Sequence, residues 1–383
     1  MRIAIDASAV GRRKGGDETF MSGLLSALPG VNPANEYFAY TAETVGSDWG
    51  RDVTVRRLRP GTGLLRTPLR APLQIALDRI DVYQSPLSCP PWCGAASVLY
   101  LPDVSFMSHP EHYPRRLRMR LQLLVAASIR ASAAVLTLSR HASAEIISRF
   151  PVARDRVFVA YPGVDRARFR SRCEPLAAVR ERYRLPARYV LYLGSINPRK
   201  NLVELVKAHA MARSNDPTIP LLVACGVDRW HAERTHASIV NAENVRFTGH
   251  VSQEDLPAVV AGADMLVYPS LVEGFGLPPL EAMASGIPVI ASRIPVFEEV
   301  YGGAFLPVNP YDAAEIAHGI TRVHQEGDLR ITLTAAGEAQ ALKYDWAGTA
   351  RAATECYEAA RAARSSTLWN LADVPAAVRR CFY

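Results

Sequence analysis

Short apolar runs rich in Val, Ile and Tyr alternate with segments of helical period along almost the whole chain, and few architectures absorb that alternation. Runs near 2–8, 36–42, 53–58, 82–86, 96–102, 133–138 and 157–161 form one set, and runs near 189–194, 221–225, 245–248, 265–268, 288–291 and 304–308 form a second. Helix-period segments fall between many of them, among them 17–28, 114–131, 140–149, 201–213 and 278–285. Strands apolar on both faces and separated by helices predict parallel, doubly wound α/β sheets. Residues 163–187 are charged and carry no strand pattern, so they read as a connection between two domains. A chain of 383 residues supports two cores of ordinary size. The expected division is 1–170, 171–343 and a final helix with a tail over 344–383, the tail ending in a short helix. Two such domains leave a cleft at the carboxyl ends of their strands, where folds of this kind bind ligands.

Composition narrows the partners. The opening MRIAIDASAV carries Arg2 and Asp6 within its apolar run, so it reads as a buried strand rather than a signal peptide. No uninterrupted apolar stretch approaches the roughly 20 residues of a membrane-spanning helix. Cys89, Cys93, Cys173, Cys225, Cys356 and Cys381 are scattered, without the paired spacing of a structural zinc site, and read as thiols in a reducing cytoplasm. Residues 1–180 hold 25 Lys and Arg against 15 Asp and Glu, whereas the remainder holds 19 against 22. A basic first half beside a near-neutral second half points to an anionic membrane or an anionic acceptor. No basic run is interleaved with base-stacking aromatics, which argues against nucleic acid. Residues 114–131 combine Arg115, Arg116, Arg118 and Arg120 with Leu117, Met119, Leu121, Leu123 and Leu124. Such a basic amphipathic helix either packs on its own sheet or rests on anionic lipid. The expected location is the cytoplasm, with peripheral contact at the inner membrane face.

Chemistry concentrates between Ser270 and Ser292, in SLVEGFGLPPLEAMASGIPVIAS. A strand ends there, a loop with Glu273, Gly274, Phe275 and Gly276 follows, and a helix is expected from Pro278 to just before Gly286. Glycines admit close approach of a ligand, and the helix start offers free N–H groups to a phosphate. Glu281 is the only charged residue between Gly274 and Ser292. Buried in an otherwise apolar helix, its carboxylate needs donors, and ribose hydroxyls or an internal arginine would serve equally. Glu273 points to the cleft or is a solvated loop acid.

Glu-x7-Glu within EGFGLPPLEAMASGIPVI resembles the signature of the retaining GT-B glycosyltransferases of family GT4. The resemblance extends to about residue 362. It implies two Rossmann-like domains facing across a cleft, the C-terminal helix packing back toward the N-terminal domain, and transfer of a sugar from a nucleotide diphosphate with retention. The first domain would then be the acceptor side and the second would bind the nucleotide sugar. By this pattern Glu281 holds the ribose and Glu273 contacts the donor sugar. The backbone of Gly274, Phe275, Gly276 and Leu277 lines the sugar and diphosphate.

Further segments agree with that resemblance. Tyr192 to Asn201 reads as strand, glycine loop and helix start, with Gly194 and Ser195 in the loop and the adjacent cations Arg199 and Lys200 suited to a diphosphate leaving group. Taken alone, such a pair is ordinary solvated surface; the loop changes that reading. Lys200 is one of four lysines in the chain. GSINPRKNL looks like the mannosyltransferase-like branch, although Ser195 stands where many relatives carry arginine. Val245 to His250, with Thr248 and Gly249, resembles the family's base-binding edge. Gly15 and Gly16 follow the first strand, where relatives approach donor phosphates and acceptor. Pro102 and Asp103 occupy the place of a usual His-Asp, so Asp103 remains as a site acid while the histidine is lost. The nearby His109 and His112 read as exposed or packed side chains.

No Asp-x-Asp triplet occurs, so the usual ligand set for a metal diphosphate is missing. The expectation is a cofactor-free, metal-independent hexosyltransferase using GDP-mannose or a UDP-sugar, in which protein cations stabilise the departing nucleotide. Its acceptor would be a glycan, a lipid-linked glycan or a small molecule. Pro102 and Ser195 keep open a non-catalytic nucleotide-sugar-binding or partner subunit. A sugar phosphorylase fits less well, because no lysine is placed to hold a pyridoxal cofactor.

Overall fold

A computed structural model describes residues 1–12, 15–43, 49–58, 70–90, 93–170, 176–228, 239 and 243–366, the last three by backbone only. The expected terminal helix beyond 366, together with Cys173 and Cys381, lies outside the described residues. Cys89, Cys93, Cys225 and Cys356 are free thiols.

The strands form two sheets. The first contains β1 (Arg2–Asp6), β2 (Glu36–Thr41), β3 (Val53–Arg57), β4 (Val82–Pro86), β5 (Ala96–Tyr100), β6 (Ala134–Thr137) and β7 (Val157–Val159), in the order β3-β2-β1-β4-β5-β6-β7. The second contains β8 (Tyr189–Leu193), β9 (Leu221–Cys225), β10 (Val245–Gly249), β11 (Met265–Tyr268), β12 (Val289–Ser292) and β13 (Leu306–Val308), in the order β10-β9-β8-β11-β12-β13. Every pairing within them is parallel. Parallel neighbours need long crossovers, which the intervening helices supply, and those helices cover both faces. Central strands such as β5, β6, β11 and β12 are accordingly buried at every position. The doubly wound architecture expected from the alternating pattern is the one observed.

Each sheet reverses its strand order beside its first strand, between β1 and β4 and between β8 and β11. Crossovers leave in opposite directions at such a point, so the carboxyl ends open into a crevice. Direct bonds join loops at those ends of the two sheets: Ser139 Oγ, just after β6, donates to the Gly274 carbonyl at 2.8 Å. Glu299, from the helix Pro295–Tyr301, accepts from the N–H groups of Arg140 at 2.7 Å and His141 at 2.8 Å, satisfying the start of the helix Arg140–Arg149.

The chain ends by returning to the first sheet. The helix Trp346–Ser366 packs on the helix Gly16–Val31 and along β5, β6 and β7. Gly23 makes room for it, since a Cβ there would lie 2.3 Å from the Trp346 ring. Tyr357 completes the contact by donating its buried hydroxyl to Gln84 Oε1 at 2.7 Å. The connecting segment, read as charged and without a strand pattern, contains the short helices Arg166–Arg170 and Leu176–Tyr183. Each buries a single apolar anchor, Phe169 or Val179, and both pack on the helix Leu256–Ala261. One anchor per helix is too sparse to produce a periodic signal.

Candidate active site

Two loops meet at the crevice of the second sheet. The first leaves β8 through Gly194 and tightens into the turn Pro198–Lys200, and Asn201 in the left-handed region (φ 58°) redirects the chain into the helix Leu202–Asn215. The second leaves β11 and reaches Glu273. The N–H of Leu271 donates to the Arg199 carbonyl at 2.8 Å, which fixes one loop against the other. Gly274 is required by close approach: a Cβ there would stand 2.4 Å from the Pro102 carbonyl oxygen, across the cleft. Gly276 is required by conformation and space together, with φ 94° and a Cβ position 2.1 Å from the Tyr301 hydroxyl. The helix Leu277–Ala284 starts on its two prolines, as expected, and its end is followed by Gly286 at φ 72°.

The four charged residues picked from the sequence as candidate catalytic groups form one cluster. Lys200 Nζ donates to Glu273 Oε1 and to the Tyr268 hydroxyl, the latter at 2.5 Å, and Tyr268 donates to Glu273 Oε1 at 3.0 Å. Arg199 Nη1 lies 3.5 Å from Asp103 Oδ2, a contact reaching over from the first half. Asp103 is held in turn by the N–H of Ser105 at 2.9 Å and by the Ser105 hydroxyl, which meets the Tyr113 hydroxyl at 2.5 Å. Lys200 and Glu273 are both buried. Burial by itself raises the Glu273 carboxyl, but the Lys200 and Arg199 charges outweigh it and hold the group below the ordinary range. Burial likewise opposes the Arg199 charge, and Glu273 and Asp103 reverse that effect, so its guanidinium stays protonated.

The cluster is not saturated. Nε and Nη1 of Arg199 are buried and make no hydrogen bond among the described residues, and Asn197 Oδ1 beside them is in the same condition. Buried donor atoms without a hydrogen bond are costly, and an anionic ligand removes that cost. Glu281 shows a related imbalance. It is buried on the helix Leu277–Ala284, and burial pushes its carboxyl up to about 7, with Arg168 pulling the other way without reversing the shift. Glu273 and Glu281 both act electrostatically on the Tyr301 hydroxyl, so both acids lie within reach of that residue.

A bare platform lies at the ends of β8, β9 and β10. The Gly194 N–H donates to the Cys225 carbonyl and the Gly226 N–H to the Gly249 carbonyl, each at 2.9 Å. A Cβ on Gly226 would sit 1.8 Å from the Gly194 oxygen. Ser195 bonds Asn197 through its hydroxyl at 3.0 Å and Tyr192 through its carbonyl at 3.1 Å. Thr248 donates to the Gly249 carbonyl at 3.1 Å on the exposed edge. Phe275 turns its ring into the core between Tyr161 and Tyr344, leaving its backbone beside Tyr301, and Leu277 is buried next to it. Gly16 opens the helix Gly16–Val31 with free space around it. Neither it nor the edge at Thr248–Gly249 hydrogen-bonds to the charged cluster among the described residues. Tyr268, Tyr301, Tyr113, Ser139 and Gly226 were missed. For Tyr268 and Gly226 a signal was present, a polar-tipped or bare residue directly at the end of an apolar strand.

Residues 180–340 match the model of a family described as "Glycosyl transferases group 1". That segment, which holds the whole second sheet, is similar to a group 1 glycosyltransferase domain. The chain is 32% identical over 251 residues to O-antigen chain mannosyltransferase B of Escherichia coli, covering 64% of this chain and 65% of that protein. It is 31% identical over 229 residues to the serotype-specific mannosyltransferase WbdA of the same species, of which it spans only 28%. It is 34% identical over 242 residues to a D-inositol 3-phosphate glycosyltransferase of Salinispora arenicola, covering 57% of this chain and 53% of that one. The chain thus spans about two thirds or less of the curated relatives it matches. The group 1 assignment and these matches bear out the GT4 resemblance of mannosyltransferase-like type.

Solved structures agree on the fold of the whole molecule. Sucrose-phosphate synthase of Thermosynechococcus elongatus superposes with a TM-score of 0.76 at 21% identity, over 95% of this chain and 100% of that one. WaaG, a glycosyltransferase of lipopolysaccharide biosynthesis, gives 0.72 at 18% identity, over 93% and 99%. Both sheets and the returning helix are therefore those of a GT-B molecule.

Proposed function

We propose that the chain is a glycosyltransferase that moves a hexose from a nucleotide-diphosphate sugar, GDP-mannose or a UDP-sugar, to a hydroxyl of a glycan, lipid-linked or small-molecule acceptor with retention of configuration. The observation that carries this reading is the half-buried Arg199, whose buried Nε and Nη1 make no hydrogen bond among the described residues, beside the Lys200–Glu273 pair at the switch point of the second sheet. An anionic diphosphate satisfies those donors and lies close to the start of the helix Leu277–Ala284. Arg199 and Lys200 then stabilise charge on the departing nucleotide without a metal ion at the diphosphate. Glu273, kept ionised, accepts hydroxyl hydrogens of the donor sugar, and Glu281 accepts those of the ribose. Asp103, reaching Arg199 from the first half, faces the acceptor side. In the manner implied by the GT4 resemblance, the leaving phosphate helps to deprotonate the acceptor hydroxyl.

Peripheral contact with the inner membrane face is part of the same reading. The helix Arg115–Ala131 buries Val125, Ser128 and Ile129 and has no acidic residue. It leaves Leu123 74% exposed and Met119 50% exposed among arginines, the arrangement that suits an anionic lipid surface. Among the described residues no helix is long and apolar enough to cross a membrane.

The test is release of nucleotide from a panel of nucleotide sugars, with and without lipid-linked acceptors. Transfer with one donor, reduced roughly 100-fold by Arg199→Ala or Lys200→Ala, is the expected result. Anomeric NMR of the product reads retention directly. Donor binding without product under every acceptor would instead support a non-catalytic nucleotide-sugar-binding subunit. Pro102 favours that second reading, because it replaces the usual histidine and presents its carbonyl to Gly274.

A further inference from the structure

Outside the charged cluster, the turn Pro110–His112 brings three ligand-type side chains together. One ligand atom from each of His109, Glu111 and His112 lies within 4.8 Å of the other two. His109 Nδ1 is 3.3 Å from Glu111 Oε1, and His112 Nε2 is 3.6 Å from the same oxygen. Tetrahedral zinc with nitrogen and oxygen ligands at about 2.0–2.2 Å holds neighbouring ligand atoms about 3.3–3.6 Å apart. Two of the three edges therefore already have the required length. The two imidazole centroids are 5.9 Å apart, with 17° between the ring planes. Pro110 fixes the backbone between them, and Tyr113, the next residue, is anchored through Ser105.

We propose that His109, Glu111 and His112 form a binding site for a divalent cation of the zinc class, separate from the donor diphosphate. Two imidazoles and one carboxylate suit such an ion and leave a fourth position for water or an incoming oxygen ligand. The site lies at the cleft: His112 feels the charge of Arg199, and Tyr113 feels both Arg199 and Glu273. Any ion bound there adds positive charge on the acceptor side. This assignment rests on the geometry of the turn alone and stands or falls apart from the transfer reaction.

Calorimetric titration of the full chain with zinc chloride, in a buffer that does not chelate, tests it. A single site is expected that persists when Cys89 and Cys93 are both replaced by serine. It should weaken at least about tenfold in His109→Ala and in Glu111→Gln, since even outer partners of metal ligands cost about 10–100-fold when removed. Glu111 is exposed, so its variant keeps the fold, and circular dichroism verifies this. Cobalt(II) offers a second readout: the site should give tetrahedral visible bands without thiolate charge transfer. Absence of binding, or binding lost in the serine double variant and retained in Glu111→Gln, overturns the proposal.

Discussion

Replacing Glu281 with glutamine separates a carboxyl buried for a ligand from one buried for the fold. In the donor-free chain this carboxyl titrates at about 7 against an ordinary 4.5, because burial penalises its charge and Arg168 offsets only part of that. Between those values the native state holds a proton that the unfolded chain has released. Stability therefore falls as pH rises through the window, and the loss is complete above pH 7. At about 1.4 kcal/mol per tenfold, the full loss is on the order of 3 kcal/mol. Glutamine fills the same space with no charge to desolvate and escapes the loss. Urea denaturation from about pH 5 to about pH 8 should show Glu281→Gln close to wild type at the acid end and more stable by about 3 kcal/mol at the alkaline end. Saturating nucleotide sugar should narrow that gap or close it. Ribose hydroxyls donate well to a carboxylate, and a hydrogen bond to a charged group contributes about 1.5–3 kcal/mol. The donor then stabilises wild type more than the variant and binds the variant less tightly. A gain that is flat with pH, or a variant less stable than wild type at pH 8, would refute the reasoning.

Other perturbations address other parts of the site. Lys200→Ala leaves Glu273 buried beside Tyr268 without its closest cation, so thermal or urea denaturation should register a loss of about 3–5 kcal/mol. Adding Glu273→Gln should recover part of that loss, because the two changes remove one interaction. Gly274→Ala forces a Cβ to within 2.4 Å of the Pro102 carbonyl, and the cleft should open at a cost of about 1–3 kcal/mol. Small-angle scattering that finds an unchanged radius with and without donor would count against that steric account. Leu123→Glu puts an acid at the most exposed apolar position of the basic helix and should weaken cosedimentation with anionic vesicles while nucleotide release from a soluble acceptor is unchanged.

Much of the fold was legible because its strongest signal is local. A strand buried on both faces is a continuous apolar run whatever its partners, and the helices between such runs force parallel pairing. The punctuation around Glu273 was legible for the same reason: prolines open and a glycine closes a helix through the backbone alone. What escaped was pairing between segments distant in sequence. Lys200 and Glu273 were both singled out, one for a phosphate and one for a sugar, yet their bond to each other and to Tyr268 spans 73 and 68 residues. Tyr268 carries a polar tip at the end of an apolar strand, but nothing local pairs it with Lys200 and Glu273. The polar chain through Asp103, Ser105 and Tyr113 depends on how β5 and the turn after it face the second sheet, and no residue near Asp103 encodes that. Gly274 sits between these cases. Its sequence context marked it as a place of close approach, and the structure supplies what approaches: the Pro102 carbonyl of the opposite half rather than a ligand. In the proposed reading, the glycine that admits a diphosphate on one side is thus also a point where the two halves touch. The same loop that would bind the donor therefore sets how far the cleft can close over it.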